Sequence, residues 1–409
     1  MEKINGRYYI QDLDVLDLCA EYQTPLYIYD SAIIKRQLDA LNAAFDVPQL
    51  GIHFACKALN NINILKLLNQ WGTGLDTVSI QEIWLGLEAG FKPENILYTP
   101  NCVSTAEMEM AIALGVQVNI DHIETLEYIG HHYPDTKICI RINPHLMAGG
   151  NDKISVGHID SKFGISIYQM PLVERLVKTL NLKINGLHMH SGSDILDSGV
   201  FTLASDILFD LARKFPDLEF IDFGSGLKVP YKDDDVYTDI VELGSILSQR
   251  FNAFCKEYGR SLKLYFEPGK FLVSDSGYFF VTTNVIKQTP STVFAGVDSG
   301  LNHLIRPMFY GAYHSMLNVS RPEGKPRIYN IVGYICETDT FASNRVLPEI
   351  HPDDVLCFKN AGAYCFSMSS NYNSRFRPAE VLIHEGKHYL IRQRETMEDL
   401  LRNQVIHEF

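Results

Sequence analysis

Short apolar runs recur along the chain up to about residue 266, each followed by a longer amphipathic stretch. The runs fall at 51–55, 74–78, 95–99, 116–120, 137–142, 184–190, 219–223 and 262–266. Segments such as 62–71, 80–89 and 106–114 lie between them and carry apolar residues at the spacing of a helix with one buried face. Eight strand-like runs alternating with helices predict an α/β fold, a parallel (β/α)8 barrel. A doubly wound sheet shares this alternation, but no Gly-x-Gly-x-x-Gly follows the first runs.

Past about residue 273 the texture changes. The runs 279–286, 292–297, 326–334, 355–358, 380–384 and 388–392 are strand-like and follow one another through short turns. They predict a C-terminal β domain, a barrel or a sandwich. The first thirty residues, with the runs 8–10 and 26–29, add a strand to it. The expected division is a barrel over 30–275 and a β domain made of 1–29 and 276–409.

Composition narrows the function classes. The 409 residues are 46% apolar and 21% charged, with a formal net charge of -13. An acidic surface argues against nucleic acid or an anionic membrane as partner. Met1 to Asp17 carries charges and no long apolar run, so no secretory signal is expected, and no segment is apolar enough to span a bilayer. The eight cysteines are scattered without a C-x-x-C pair, which argues against a structural zinc site and for a cytoplasmic protein with reduced thiols.

The chemistry gathers at run ends, where a barrel of this kind keeps its active residues. Lys57 follows one apolar run. Desolvation there lowers the pKa of an amine and makes it nucleophilic, although a surface lysine in a loop fits the same position. His188 and His190 lie two apart in Gly186-Leu-His-Met-His-Ser-Gly-Ser193, so both rings face the same side of a strand. A metal pair, a ring stacked on a flat cofactor and a hydrogen-bonded core histidine are all open readings, the last favoured for His188. Gly224, Ser225 and Gly226 follow the next run, where small residues let backbone amides approach a phosphate, or simply make a turn. Glu267, Pro268, Gly269 and Lys270 follow the last. A carboxylate there could take the proton of a pyridine nitrogen, and Pro-Gly is also common turn punctuation. Each feature has a bland explanation alone, but four on neighbouring strand ends are harder to dismiss.

These residues, with Phe54-Ala-Cys-Lys57, Cys336-Glu-Thr-Asp339 and the long stretch Ala361-Gly-Ala-Tyr364-Cys-Phe-Ser-Met-Ser-Ser-Asn-Tyr-Asn-Ser-Arg-Phe-Arg-Pro378, resemble the fold-type III, alanine-racemase-like pyridoxal-phosphate decarboxylases over nearly the whole chain. Glu337 stands where ornithine and arginine decarboxylases usually have aspartate.

The resemblance implies pyridoxal 5'-phosphate as cofactor and a role for each residue. Lys57 holds the cofactor as an imine and His190 stacks on its ring. Ser193 and the Gly224, Ser225 and Gly226 amides take the phosphate, and Glu267 pairs with the ring nitrogen. Lys270 replaces the usual arginine and acts as a point charge without bidentate geometry. Arg306 and Tyr310 bind the distal end of the substrate, where arginine suits a second carboxylate. Glu337 meets the distal ammonium, Cys336 helps protonate the product, and Tyr364 reaches substrate and phosphate. Cys336 and Glu337 come across the interface of a homodimer.

The implied substrate is a small diamino diacid, meso-2,6-diaminopimelate, which loses carbon dioxide to give L-lysine. Rival readings are a carboxynorspermidine or other basic amino-acid decarboxylase of the same fold, a metal-dependent barrel hydrolase using the two histidines, and a non-catalytic relative that binds partners.

Overall fold

The computed structural model describes residues 1–145, 161–190, 192, 198–232 and 234–409. It divides into two compact units. One comprises residues 37–230 and 236–271, the other 1–36, 231–235 and 272–409.

The first unit is a closed barrel of eight parallel strands: β1 Leu50–Ala55, β2 Gly74–Thr77, β3 Ile96–Tyr98, β4 Gln117–Ile120, β5 Lys137–Asn143, β6 Lys183–Met189, β7 Phe220–Asp222 and β8 Lys263–Phe266. Each pairs with the next, and β8 pairs with β1. The register sets His188 opposite Asp222 and Asp222 opposite Tyr265. Leu75, Ile96, Val118, Ile138, Ile140 and Leu264 are fully buried. Four of the helices between strands start where a short polar side chain takes an orphan amide: Asn61, Ser79, Ser104 and Asp239 cap the helices Ile62–Gln70, Ile80–Glu88, Thr105–Leu114 and Ile240–Tyr258.

Aromatic rings fill the end of the barrel where the strands begin. A Cβ on Gly74 would lie 2.2 Å from the His53 ring, and one on Gly186 would lie 2.2 Å from the Phe220 ring. These glycines make room for the rings, and Tyr265 packs against both His53 and Phe220 at centroid distances of 4.4 and 4.7 Å. With that end filled, the inward-facing polar residues of the later positions open toward the strands' C-terminal ends.

The second unit is built on a nine-stranded sheet. Leu26–Asp30 lies inside it, antiparallel to Gly277–Gln288 and parallel to Ala379–His384. The stacked Tyr27 and Phe279 rings fill its core at 4.3 Å. The long strand Thr340–Pro348 pairs with Pro326–Val332. The sequence pattern did not predict it, because Ser343, Asn344 and Arg345 interrupt the apolar alternation. Among the described residues no helix is long and apolar enough to cross a membrane.

Candidate active site

Lys57 lies just past β1, in the one-turn helix Cys56–Ala58. Its side chain is 45% exposed and its Nζ lies 3.3 Å from Oδ2 of Asp76, which is 1% exposed. The amine is therefore not desolvated by its strand, contrary to the expectation from the sequence. It projects from the mouth, and a buried carboxylate faces it. Burial, and then the charge of Glu267, push the Asp76 carboxyl up to about 7 against the pull of Lys57.

Across the mouth stands a cluster of His188, Asp222 and Glu267, all buried, with one polar atom of each within 4.8 Å of the others. Among the described residues His190 is not part of this cluster. Nε2 of His188 donates to Oε2 of Glu267 at 3.1 Å. Burial opposes ionisation of Glu267, but His188 and Lys57 outweigh it and hold this carboxyl well below the usual carboxylate range. Oε1 of Glu267 has no hydrogen-bond partner among the described residues. An ionised, buried carboxylate with one unused oxygen suits a protonated pyridine nitrogen. Beside it, the Pro268 carbonyl accepts the Ala55 amide at 3.3 Å, tying the end of β8 to the end of β1. Gly269 is buried, and Lys270 opens the short helix Lys270–Val273.

His190 sits one residue past β6. Its Nδ1 accepts the amide of Ser225 at 3.2 Å. Burial, with Arg141 and Lys57, lowers its pKa to about 3, so the ring is neutral and carries its proton on Nε2. The Gly224 peptide is held from both sides. Its N–H donates to Oδ1 of Asp222 at 2.8 Å, and its carbonyl accepts the Glu267 amide at 2.6 Å. A Cβ on Gly224, whose φ is +62°, would lie 2.7 Å from Nδ1 of His190 and 2.9 Å from the Met189 carbonyl. The Gly224 and Ser225 amides donate to Asp222 and His190, and Gly226 continues the turn at φ +117°. Ser193 lies outside the described residues.

The remaining candidates belong to the second unit. Arg306 opens the helix Arg306–Tyr310 and is 7% exposed. Its Nη1 donates to the Tyr231 hydroxyl at 2.8 Å, and that hydroxyl lies 2.6 Å from Oγ of Ser274. His314 completes the setting. Its Nδ1 donates to the Lys359 carbonyl at 2.9 Å, which leaves Nε2 as acceptor, 3.4 Å from the same Nη1. Tyr310 is half-buried at the other end of that helix, in edge contact with Phe309. Tyr364 is half-buried at φ +57°. Cys336 and Glu337 are exposed. The thiol lies 3.4 Å from Oδ1 of Asn373, and Glu337 accepts the Tyr372 hydroxyl at 2.9 Å.

Three residues of the barrel mouth had no predicted role: Asp76, Arg141 and Asp222. Arg141, buried in β5, lies 4.8 Å from the centroid of the Phe163 ring. Each is an ionisable side chain within a strand, and Arg141 and Asp222 interrupt apolar runs. That is a usable signal, since a buried charge must have a partner.

Residues 31–274 match the family model described as pyridoxal-dependent decarboxylase, pyridoxal binding domain. The chain is 41% identical to a diaminopimelate decarboxylase of Methanothermobacter thermautotrophicus, covering 98% of this chain and 96% of the relative. It is 34% identical to that of Escherichia coli, with 95% of each covered. Among solved structures, diaminopimelate decarboxylase from Helicobacter pylori complexed with L-lysine superposes with a TM-score of 0.87 at 31% identity, over 95% of this chain and 98% of that one. The enzyme from M. jannaschii in co-complex with L-lysine does so at 0.91 and 28%, over 99% and 98%.

Proposed function

The chain belongs to the diaminopimelate decarboxylases, pyridoxal-dependent enzymes, and from that premise we propose the reaction, the substrate and the residues that serve them. The enzyme is a carboxy-lyase that uses pyridoxal phosphate. It converts meso-2,6-diaminopimelate to L-lysine and carbon dioxide, the last step of lysine biosynthesis. The observation that carries the site assignment is the Glu267 carboxylate, buried, held ionised by His188, and with Oε1 still to be satisfied.

The bound cofactor supplies a sink for the electron pair left when carbon dioxide departs. The residues that would hold it are Lys57, covalently through its amine, Glu267 at the ring nitrogen, His190 against the ring face and the Gly224–Gly226 turn at the phosphate. Asp76 keeps a carboxyl 3.3 Å from the Lys57 amine, where it can hold or release a proton as that amine changes partners. His190 presents a neutral ring, so it adds no positive charge over the cofactor face. Lys270 attracts an anionic group without the fork of an arginine.

Arg306 and Tyr310 take the distal carboxylate, and the Tyr231 and His314 contacts fix the guanidinium for it. Glu337 meets the distal ammonium, Cys336 delivers a proton to the product, and Tyr364 serves substrate and phosphate. The exposure of Cys336 and Glu337 on their own unit suits groups that complete a second subunit's site, so the assembly is a homodimer. A cytoplasmic location fits the eight free, unpaired thiols.

The test is a product assay. With added pyridoxal phosphate, purified protein is offered meso-2,6-diaminopimelate, carboxynorspermidine and ornithine, and lysine and carbon dioxide are measured. Turnover of either alternative in place of diaminopimelate would overturn the substrate assignment. Borohydride reduction of the holoenzyme should fix the cofactor on Lys57 by peptide mass.

A further inference from the structure

Two carboxylates and one imidazole share the His188, Asp222 and Glu267 cluster. Asp222 is the most deeply enclosed of the three, at 0% exposure. Its Oδ1 takes the Gly224 amide and its Oδ2 has no partner among the described residues. Glu267, in contrast, receives Nε2 of His188. Two buried carboxyls within 4.8 Å cannot both ionise beside a single imidazole without a large repulsion. The proton stays on the acid with less support, which is Asp222.

We propose that Asp222 is a positioning residue that stays a neutral carboxylic acid at neutral pH, accepting the Gly224 amide and placing no second negative charge beside Glu267. One side chain then sets both the phosphate turn and the carboxylate that meets the ring nitrogen. The inference rests on the cofactor reading above.

The surroundings agree. Burial, and then the charge of Glu267, push Asp222 well above the usual carboxylate range. The groups that face it are His188 from β6, Glu267 and Tyr265 from β8, Asp76 from β2, and Cys139 and Arg141 from β5. Of these Arg141 is the one fixed positive charge, and Glu267 and Asp76 also draw on it. Gly224 links the two ends of the device, because the Asp222 carboxyl takes its N–H and the backbone N–H of Glu267 donates to its carbonyl.

Asparagine reproduces a neutral acid in this setting, with a carbonyl for the Gly224 amide and an uncharged group beside Glu267. It does not reproduce a carboxylate. Asp222→Asn should therefore bind pyridoxal phosphate within about threefold of the parent, and Asp222→Ala about tenfold or more weaker. Infrared spectra of the cofactor-free protein provide a readout independent of activity and of folding in the alanine variant. At pH 8, where most of Asp76 has ionised, the parent should show a protonated-carboxyl stretch that Asp222→Asn removes and Asp76→Asn leaves. Absence of that band, or a loss of cofactor affinity in Asp222→Asn equal to that in Asp222→Ala, would overturn the proposal. Failure to make lysine from diaminopimelate would instead overturn the reaction and leave the infrared result standing.

Discussion

His190 accepts the Ser225 amide on Nδ1 at 3.2 Å, so the ring expected against the cofactor face also anchors the turn expected at its phosphate. Replacing the ring by one that can stack but not accept separates these jobs. His190→Phe should bind pyridoxal phosphate about tenfold more weakly, because a buried amide left unsatisfied costs about 1–3 kcal/mol. Burial, then Arg141, hold the histidine neutral down to about pH 3. The variant's pH–rate profile should therefore keep the parent's shape between pH 5 and 8, however low the rate. An acid limb lost in the variant would show that this ring titrates during turnover.

Gly224 makes a second test of the same turn. A side chain there meets backbone at the Met189 carbonyl, 2.9 Å away, and a ring atom of His190 at 2.7 Å, in a left-handed conformation. Gly224→Ala should lose about 1–3 kcal/mol of stability from the strained backbone alone. Its cofactor affinity should fall further than that of Gly259→Ala, which has positive φ but nothing within 4 Å of its Cβ. Denaturant titration and cofactor binding measured on both variants decide the point.

Asp76 carries a pH signature in the cofactor-free protein. Its carboxyl moves from the ordinary 3.8 to about 7, through burial first and Glu267 second. Between those values the folded state keeps a proton that the unfolded chain releases, so stability from this group falls as pH rises from about 4 to 7 and is level above it. Asp76→Asn removes the titration. Its melting temperature should decline less than the parent's across that window, and equal slopes would refute the assignment.

The sequence made the strand ends legible because polar residues there break apolar runs. Lys57, His190 and Glu267 each stand one or two residues past a strand. Asp76 did not show, because β2 is the four-residue strand Gly74–Thr77 and its aspartate reads as turn chemistry. Arg141 shows no signal by pattern except its oddity inside Lys137–Asn143. The His188 partnership with Glu267 spans 79 residues and depends on β6 and β8 flanking β7, which no local periodicity encodes. The same holds for Leu26–Asp30, which pairs with strands some 250 and 350 residues away. The turn at Gly224 reads as a phosphate site from its small residues. The bonds from its Gly224 and Ser225 amides to Asp222 and His190 are set by the fold and have no local signal.

Lys57→Ala should abolish turnover and leave the fold intact. The side chain is 45% exposed, so its removal opens no cavity. Asp76 loses its cation but can stay protonated, which avoids an uncompensated buried charge. Circular dichroism and melting should match the parent closely while lysine formation disappears. Appreciable turnover in this variant would sink the assignment of the cofactor-bearing amine.

Arg306 tests the distal end of the substrate. Its guanidinium is held by the Tyr231 hydroxyl and by Nε2 of His314, and burial first, then Arg306, keep that imidazole neutral, with its pKa lowered to about 3. Tyr231→Phe removes one hydrogen bond and leaves the ring 4.9 Å from the guanidinium carbon. A loss of about 0.5–1.5 kcal/mol in positioning should raise KM for diaminopimelate by about two- to twelvefold. Arg306→Ala should raise it more, since a charge-assisted contact to a carboxylate is about twice as strong as a neutral one. In both variants the affinity for pyridoxal phosphate, titrated without substrate, should stay near the parent's. Equal losses in cofactor and substrate binding would remove Arg306 from the distal-carboxylate role and make it a structural cation of its own unit.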